Sequence, residues 1–188
     1  MKLLSVTIPC YNSQDYMEHC IETLLTGGDD VEILIVDDGS KDATAEIADR
    51  YQKKYPTIIK AIHQENGGHG AAVNTGIANA TGLYFKVVDS DDWVDEESYH
   101  KILAKLRELV GGSTTLDMFI SNFVYEKQGA DQCAGKGISF HEKDLLFTRS
   151  ASQIIAWLIP PVSAPRFPPE TPFHRQWSIA SWHGWRFR

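Results

Sequence analysis

Four short β-rich apolar runs, Leu3–Pro9, Val31–Val36, Ile58–Ile62 and Leu83–Val88, each run into a segment with helical spacing of apolar residues. After the first run, Tyr16, Met17, Cys20, Ile21, Leu24 and Leu25 share one helical face, with Asn12 or Ser13 placed to cap it and Gly27-Gly28 to end it. Residues 43–55 turn Ile47, Ala48, Tyr51 and Tyr55 inward, and Pro56 stops them. Asn66-Gly67-Gly68-His69-Gly70 opens a third helix that runs to about Asn79. Residues 98–110 carry Tyr99, Ile102, Leu103, Leu106 and Leu109 on one stripe, and residues 116–125 read as a further strand. Near-continuous apolar strands alternating with helices predict an α/β fold with a mostly parallel sheet and helices on both faces.

That prediction places the chemistry. In such sheets ligands bind outside the carboxyl ends of the strands. Here those ends carry Pro9-Cys10-Tyr11-Asn12, Asp37-Asp38-Gly39-Ser40, the 66–70 loop and Asp89-Ser90-Asp91-Asp92, so four polar segments are expected along one edge.

Composition narrows the classes. The chain has 188 residues, 43% hydrophobic and 23% charged, which suits a folded domain and excludes a disordered chain. No apolar run approaches the roughly 20 residues of a membrane span, and the opening Met1-Lys2-Leu3-Leu4 is too short for a signal peptide, so a cytoplasmic protein is expected. Cys10, Cys20 and Cys133 have no CxxC spacing, which favours reduced thiols over disulfides or zinc. A net charge of −7 argues against a nucleic-acid partner, because phosphate contacts need clustered Lys and Arg.

The composition breaks near residue 148. Residues 1–148 hold 24 of the 25 acidic residues, all 11 lysines and two arginines. Residues 149–188 hold five arginines, one acid, six of the eight prolines and four of the five tryptophans. The stretch PPVSAPRFPPETPF within it suits neither a helix nor a central strand. The expectation is a domain over 1–148 and an aberrant Pro/Trp/Arg-rich tail over 149–188, the product of a frameshift or fusion, the other reading being a Pro-rich natural extension that docks on a partner or a membrane surface.

Three aspartates within four positions repel one another unless a cation sits among them. Carboxylates are hard ligands suited to magnesium or manganese held together with substrate phosphates. Asp91, Asp92 and Asp95 are equally placed to cap the helix that begins near Ser98. Asp37-Asp38 offers acceptors to a base imide or ribose hydroxyl, or else makes an ordinary turn. Tyr11 presents a ring next to a strand-ending Pro9. Gly67 and Gly68 can bring backbone N–H groups near phosphate, although Val73 stands where a dinucleotide fingerprint would want glycine. His69 faces substrate or makes a helix-entry hydrogen bond, and Trp93 shapes an acceptor pocket or covers the sheet edge.

Taken in order, Thr7-Ile8-Pro9-Cys10-Tyr11-Asn12, Ile35-Val36-Asp37-Asp38-Gly39-Ser40-Lys41-Asp42, Glu65-Asn66-Gly67-Gly68, Asn74-Thr75-Gly76 and Asp89-Ser90-Asp91-Asp92 resemble family 2 glycosyltransferases of GT-A fold, through about residue 125. The resemblance implies a nucleotide-diphosphate-sugar donor, usually of uridine, and transfer with inversion to a glycan or lipid-linked acceptor at the inner face of a membrane. By position, Pro9 and Tyr11 would line the base pocket, Asp38 would bind the base and Asp89 would lie near ribose and sugar. Asp91, with Asp92, would hold Mn2+ or Mg2+; Gly68 and Asn74 would shape the donor loop. Val73 departs from the family pattern, which often has arginine there. The family's catalytic base, an Asp or Glu in the acceptor half, has no counterpart: Glu142 and Asp144 come too early, and Glu170 is the tail's one acid. Poor or absent sugar transfer by this chain follows, with a non-catalytic nucleotide-sugar-binding remnant as the second reading. A haloacid dehalogenase-like phosphatase would carry its Asp-x-Asp on the first strand, and a nucleotidyltransferase would need a Gly-rich first loop where Pro9-Cys10-Tyr11-Asn12 stands.

Overall fold

A computed structural model describes residues 2–111, 118–120 and 155–158. The chain runs β1 (Leu4–Cys10), α1 (Met17–Leu25), β2 (Val31–Asp37), α2 (Thr44–Lys54), β3 (Ile59–His63), α3 (His69–Asn79), β4 (Tyr84–Val87), α4 (Glu96–Gly111), β5 (Met118–Ile120) and β6 (Ile155–Leu158). The strands form one sheet in the order β3-β2-β1-β4-β6-β5. β3, β2, β1 and β4 are parallel, whereas β6 pairs antiparallel with both β4 and β5. The mostly parallel α/β sheet expected from the sequence is therefore present. From β1 the chain winds outward through β2 and β3, then returns to lay β4 on the other side of β1. The crevice of such a sheet opens at this reversal, between the ends of β1 and β4.

Strand alternation sets the two faces. Leu4, Val6, Ile8 and Cys10 of β1, with Val31, Ile33 and Ile35 of β2, join one core with Met17, Ile21 and Leu24 of α1, Ile47 of α2, and Ile102, Leu103 and Leu106 of α4. The opposite face is smaller: Leu34 and Phe85 cluster with Ala80 and Val87. Ser5 and Thr7 of β1 are also buried there. Small residues let α3 approach: a Cβ on Gly76 would overlap the side chain of Thr7.

Several local expectations shift. Tyr16 was expected inward but is 44% exposed, because α1 begins at Met17 with no side-chain cap. Its hydroxyl donates to the Asn12 carbonyl, and the Ser13 carbonyl accepts from Tyr16 and Met17 N–H in place of a side-chain cap. The third helix starts at His69, so the 64–68 segment is loop. Of the strand expected over 116–125, the described part is Met118–Ile120, and it runs antiparallel to β6. Four residues beyond position 148, Ile155–Leu158, lie in the sheet between β4 and β5. The rest of 149–188 lies outside the described residues, as do Cys133, Glu142, Asp144 and Glu170. Cys10 and Cys20 are free and buried.

Candidate functional site

The four strand-end segments meet at the expected edge and are tied together by side chains. Ser13 Oγ lies 2.8 Å from Ser90 Oγ, joining the loop after β1 to the loop after β4. Asn12 N–H donates to Ser40 Oγ at 3.0 Å, and Lys41 N–H donates back to Asn12 Oδ1 at 2.9 Å, joining the loops after β1 and β2. Asn12 pays for this position with a left-handed backbone, φ 51°. Pro9 is buried in β1 beside Val36, past the last residue paired with β4, so its missing N–H breaks no ladder. Tyr11 follows with its side chain 48% exposed at the crevice.

Asp38 is buried at the end of β2 and organises the third segment. Its Oδ1 accepts from Gln64 Nε2 at 2.7 Å and from Gly67 N–H at 2.9 Å, and its Oδ2 accepts from Gly68 N–H at 2.7 Å. Oδ2 keeps an unused lone pair, since a carboxylate can accept about four bonds. Gly68 takes φ 85°, which only glycine adopts cheaply. The N–H groups of Gly67 and Gly68 are thus spent on Asp38 and do not face a phosphate. The Asn74 side chain is exposed on α3 and no hydrogen bond of it is found among the described residues; its neighbour Thr75 donates to Gln64 Oε1 at 2.5 Å. Val73 is buried against the sheet face.

The aspartate loop divides its work. Asp95 caps α4: its Oδ1 accepts from Ser98 N–H at 2.9 Å. That capping role, open to three aspartates from the sequence, falls to Asp95. Asp89 Oδ1 meets His69 Nε2 at 2.9 Å, which holds the carboxyl of Asp89 below its ordinary range and raises the imidazole of His69. Asp91 is exposed, and among the described residues no hydrogen bond closes on the carboxylate of Asp91 or Asp92. Burial, with the charges of Asp89 and Asp91, pushes Asp92 up to about 6. Below the loop, burial of Lys86 brings its ammonium down to about 8, against the pull of Asp89 and Asp92. Trp93 lies with its ring centroid 5.2 Å from that of His19.

These donors fit a hard divalent cation. Asp91 and Asp92 offer unengaged carboxylate oxygens, and Asp92 is raised first by its burial and then by the neighbouring charges of Asp89 and Asp91. Among the described residues no three His, Cys, Asp or Glu side chains close around one point, so phosphate oxygens of a ligand would have to complete the shell.

Residues 5–151 match the family model described as glycosyl transferase family 2. The chain belongs to this family. Over 101 residues it is 42% identical to the glycosyltransferase EpsJ of Bacillus subtilis, covering 53% of this chain and 29% of EpsJ. It is 35% identical over 139 residues to the glycosyltransferase GlyG of Streptococcus pneumoniae, covering 70% of this chain and 46% of GlyG. The chain thus spans less than half the length of either relative. The crystal structure of S. aureus TarS 1–349 in complex with UDP-GlcNAc superposes with TM-score 0.55 at 28% identity, over 70% of this chain and 37% of that one. The fold is accordingly GT-A. Asp89 and Asp91 follow the fourth strand, not the first, which removes the phosphatase reading.

The sequence reading passed over His63 and Gln64, which end β3 and anchor the buried Asp37-Asp38 pair. The strand-end rule passed from Ile62 straight to the 66–70 loop; taking the residues directly after Ile62 would have found them. Ser13, expected as a helix cap, and Ser40, expected in a turn, gave no signal of the cross-loop bonds they make.

Proposed function

We propose that this chain is the donor-binding part of an inverting glycosyltransferase that takes a uridine-diphosphate sugar and serves a glycan or lipid-linked acceptor. The observation that carries the reading is the arrangement at the β1/β4 reversal. There an exposed ring, a buried acceptor and an unengaged acidic pair stand on three adjoining segments. Tyr11 stacks on the base. Asp38, already fixed by three donors, accepts the base imide N–H on Oδ2. Pro9 and the Gly68 turn form the pocket walls, Asn74 lines the donor loop, and Asp89 receives ribose hydroxyls. Asp91 and Asp92 hold Mn2+ or Mg2+, which supplies charge neutralisation to the leaving nucleoside diphosphate. The UDP-GlcNAc complex of TarS and the glycosyltransferase relatives support the donor class.

An inverting displacement also needs a carboxylate that reaches the acceptor hydroxyl. The acids considered for that task, Glu142, Asp144 and Glu170, lie outside the described residues, and the domain over 1–148 is proposed to end before the acceptor half, with 149–188 an out-of-frame or fused segment. Transfer by the purified 188-residue chain should then be absent or weak, and vigorous transfer to any acceptor contradicts it.

Thermal unfolding tests the donor reading. UDP with Mn2+ at about a hundred times its dissociation constant should stabilise the fold by about 2.7 kcal/mol, seen as a rise in Tm. GDP and CDP should do markedly less. An equal response to all three nucleotides contradicts the uridine assignment.

A further inference from the structure

His63 sits at the end of β3, directly across from Asp37 of β2. Its Nδ1 lies 3.1 Å from Asp37 Oδ2 and its Nε2 lies 3.0 Å from Asp49 Oδ1 of α2. A neutral imidazole has one N–H and one bare nitrogen, so it can donate to only one of these carboxylates and turns a lone pair toward the other. The imidazolium satisfies both. The two ends differ in burial: the Asp37 side chain is 6% exposed and that of Asp49 is 63% exposed. Asp37 adjoins the equally buried Asp38, so two carboxylates share one strand end. Among the described residues His63 is the one cationic side chain bonded to either.

Asp37 is also the root of a chain that reaches the base pocket. Its Oδ1 accepts from Ser40 N–H at 3.0 Å, and Ser40 Oγ accepts from Asn12 N–H at 3.0 Å. Asn12 is the left-handed residue that follows Tyr11. Gln64, next to His63, donates from its backbone N–H to the Asp37 carbonyl and from its side chain to Asp38.

We propose that the His63 imidazolium is a positioning residue of the nucleotide site, holding and neutralising Asp37 so that the Ser40 turn and the Asn12–Tyr11 segment stay in place for the base. This rests on the donor-site reading above and adds a residue to it. The titratable groups facing the ring are Asp37 from β2 and Asp49 from α2. Arg50, next along α2, is turned to Glu18, and Lys60 of β3 reaches Asn79. Both hydrogen bonds raise the His63 imidazolium above its ordinary range, that to Asp49 most. Loss of its proton leaves the Asp37-Asp38 charge uncompensated beside an anionic donor, and donor affinity falls by about three-fold.

Linkage makes the claim measurable without a variant. If the protonated ring favours the ligand, the ligand must favour the protonated ring by the same factor. The experiment follows the His63 ring protons by NMR between about pH 5 and pH 9, with diamagnetic Mg2+ and with or without saturating UDP-glucose or UDP-GlcNAc. A sugar nucleotide is used because free UDP itself titrates near 6. The expected result is a His63 midpoint raised by about half a pH unit on binding, the equivalent of three-fold. His63→Gln identifies the resonance by deleting it, and should lose about three-fold in affinity at about pH 6 and nothing at about pH 9. Should that variant not fold, Asp49→Asn, on the exposed side of α2, identifies it by lowering its midpoint. A midpoint unmoved by bound ligand overturns the positioning role and leaves the donor site standing. A folded chain that binds neither sugar nucleotide at any pH overturns the donor-site reading itself.

Discussion

Asp38 illustrates how a residue that looks like a ligand contact is first a structural anchor. Three donors from Gln64, Gly67 and Gly68 converge on it. Asp38→Asn replaces one acceptor oxygen with an NH2 group that must face a donor in a buried place. The expected cost is about 1–3 kcal/mol of stability, read as a lower urea midpoint, together with loss of UDP binding by calorimetry. Unchanged stability contradicts the hydrogen-bond assignment. His63 gives a pH-dependent counterpart. Its folded-state pKa is raised, so its contribution is fully present below the unfolded value of about 6.5 and is lost as pH rises through the folded value. The gap in urea midpoint between the intact chain and His63→Gln should therefore be widest near about pH 5.5 and shrink toward about pH 8.5. A gap that grows with pH contradicts the ion pairs.

Among the elements, α3 is set by what it lacks. Gly76 faces Thr7 so closely that a Cβ would lie 2.7 Å from Thr7 Cβ and overlap the atoms beyond it. Gly76→Ala removes a helix-weakening glycine from a helix interior, a change that on an exposed face would stabilise by up to about 1 kcal/mol. Here overpacking should win, with a net loss of about 1–3 kcal/mol in chemical denaturation. A stabilised variant would show that α3 sits farther from β1 than described. The elements were also where the sequence was most legible. Buried strands and helix stripes leave strong periodic patterns, and β1, β2, β3, β4 and the four helices stand within a few residues of their expected places. The ends were less legible. Tyr16 fits the apolar face of α1 by spacing alone, yet it lies before the helix starts and its hydroxyl finds the Asn12 carbonyl instead. Periodicity gives no direction to a strand, so the antiparallel run of β5 was not readable, and Ile155–Leu158 was hidden in a segment whose composition argues against regular structure.

For the whole molecule, the strand-end rule brought the four polar segments to one edge because topology, not any single motif, joins them. Pro9, Tyr11, Asp38, Asp89, Asp91 and Asp92 were all named from position along the chain, and all stand at the expected edge. Their bonds could not be read in the same way. That Asp38 would consume the Gly67 and Gly68 amides, that Asp95 would take the cap of α4, and that Thr75 would bond Gln64 depend on side-chain geometry across loops. No described helix is long and apolar enough to cross a membrane. Glu142, Asp144 and Glu170, the acids weighed as a catalytic base, lie outside the described residues.

The central claim is a cation-dependent nucleotide site at the β1/β4 reversal, and calorimetric titration with UDP tests it most directly. The titration is run with Mn2+, with EDTA, and with the Asp91→Asn variant in Mn2+. Asp91 is exposed and makes no hydrogen bond among the described residues, so its substitution should leave the fold intact. Binding that needs Mn2+ and is weakened at least ten-fold by Asp91→Asn, about 1.4 kcal/mol, is the predicted result. Binding of equal strength in EDTA and in the variant, or no binding by a cooperatively folded chain, would contradict it.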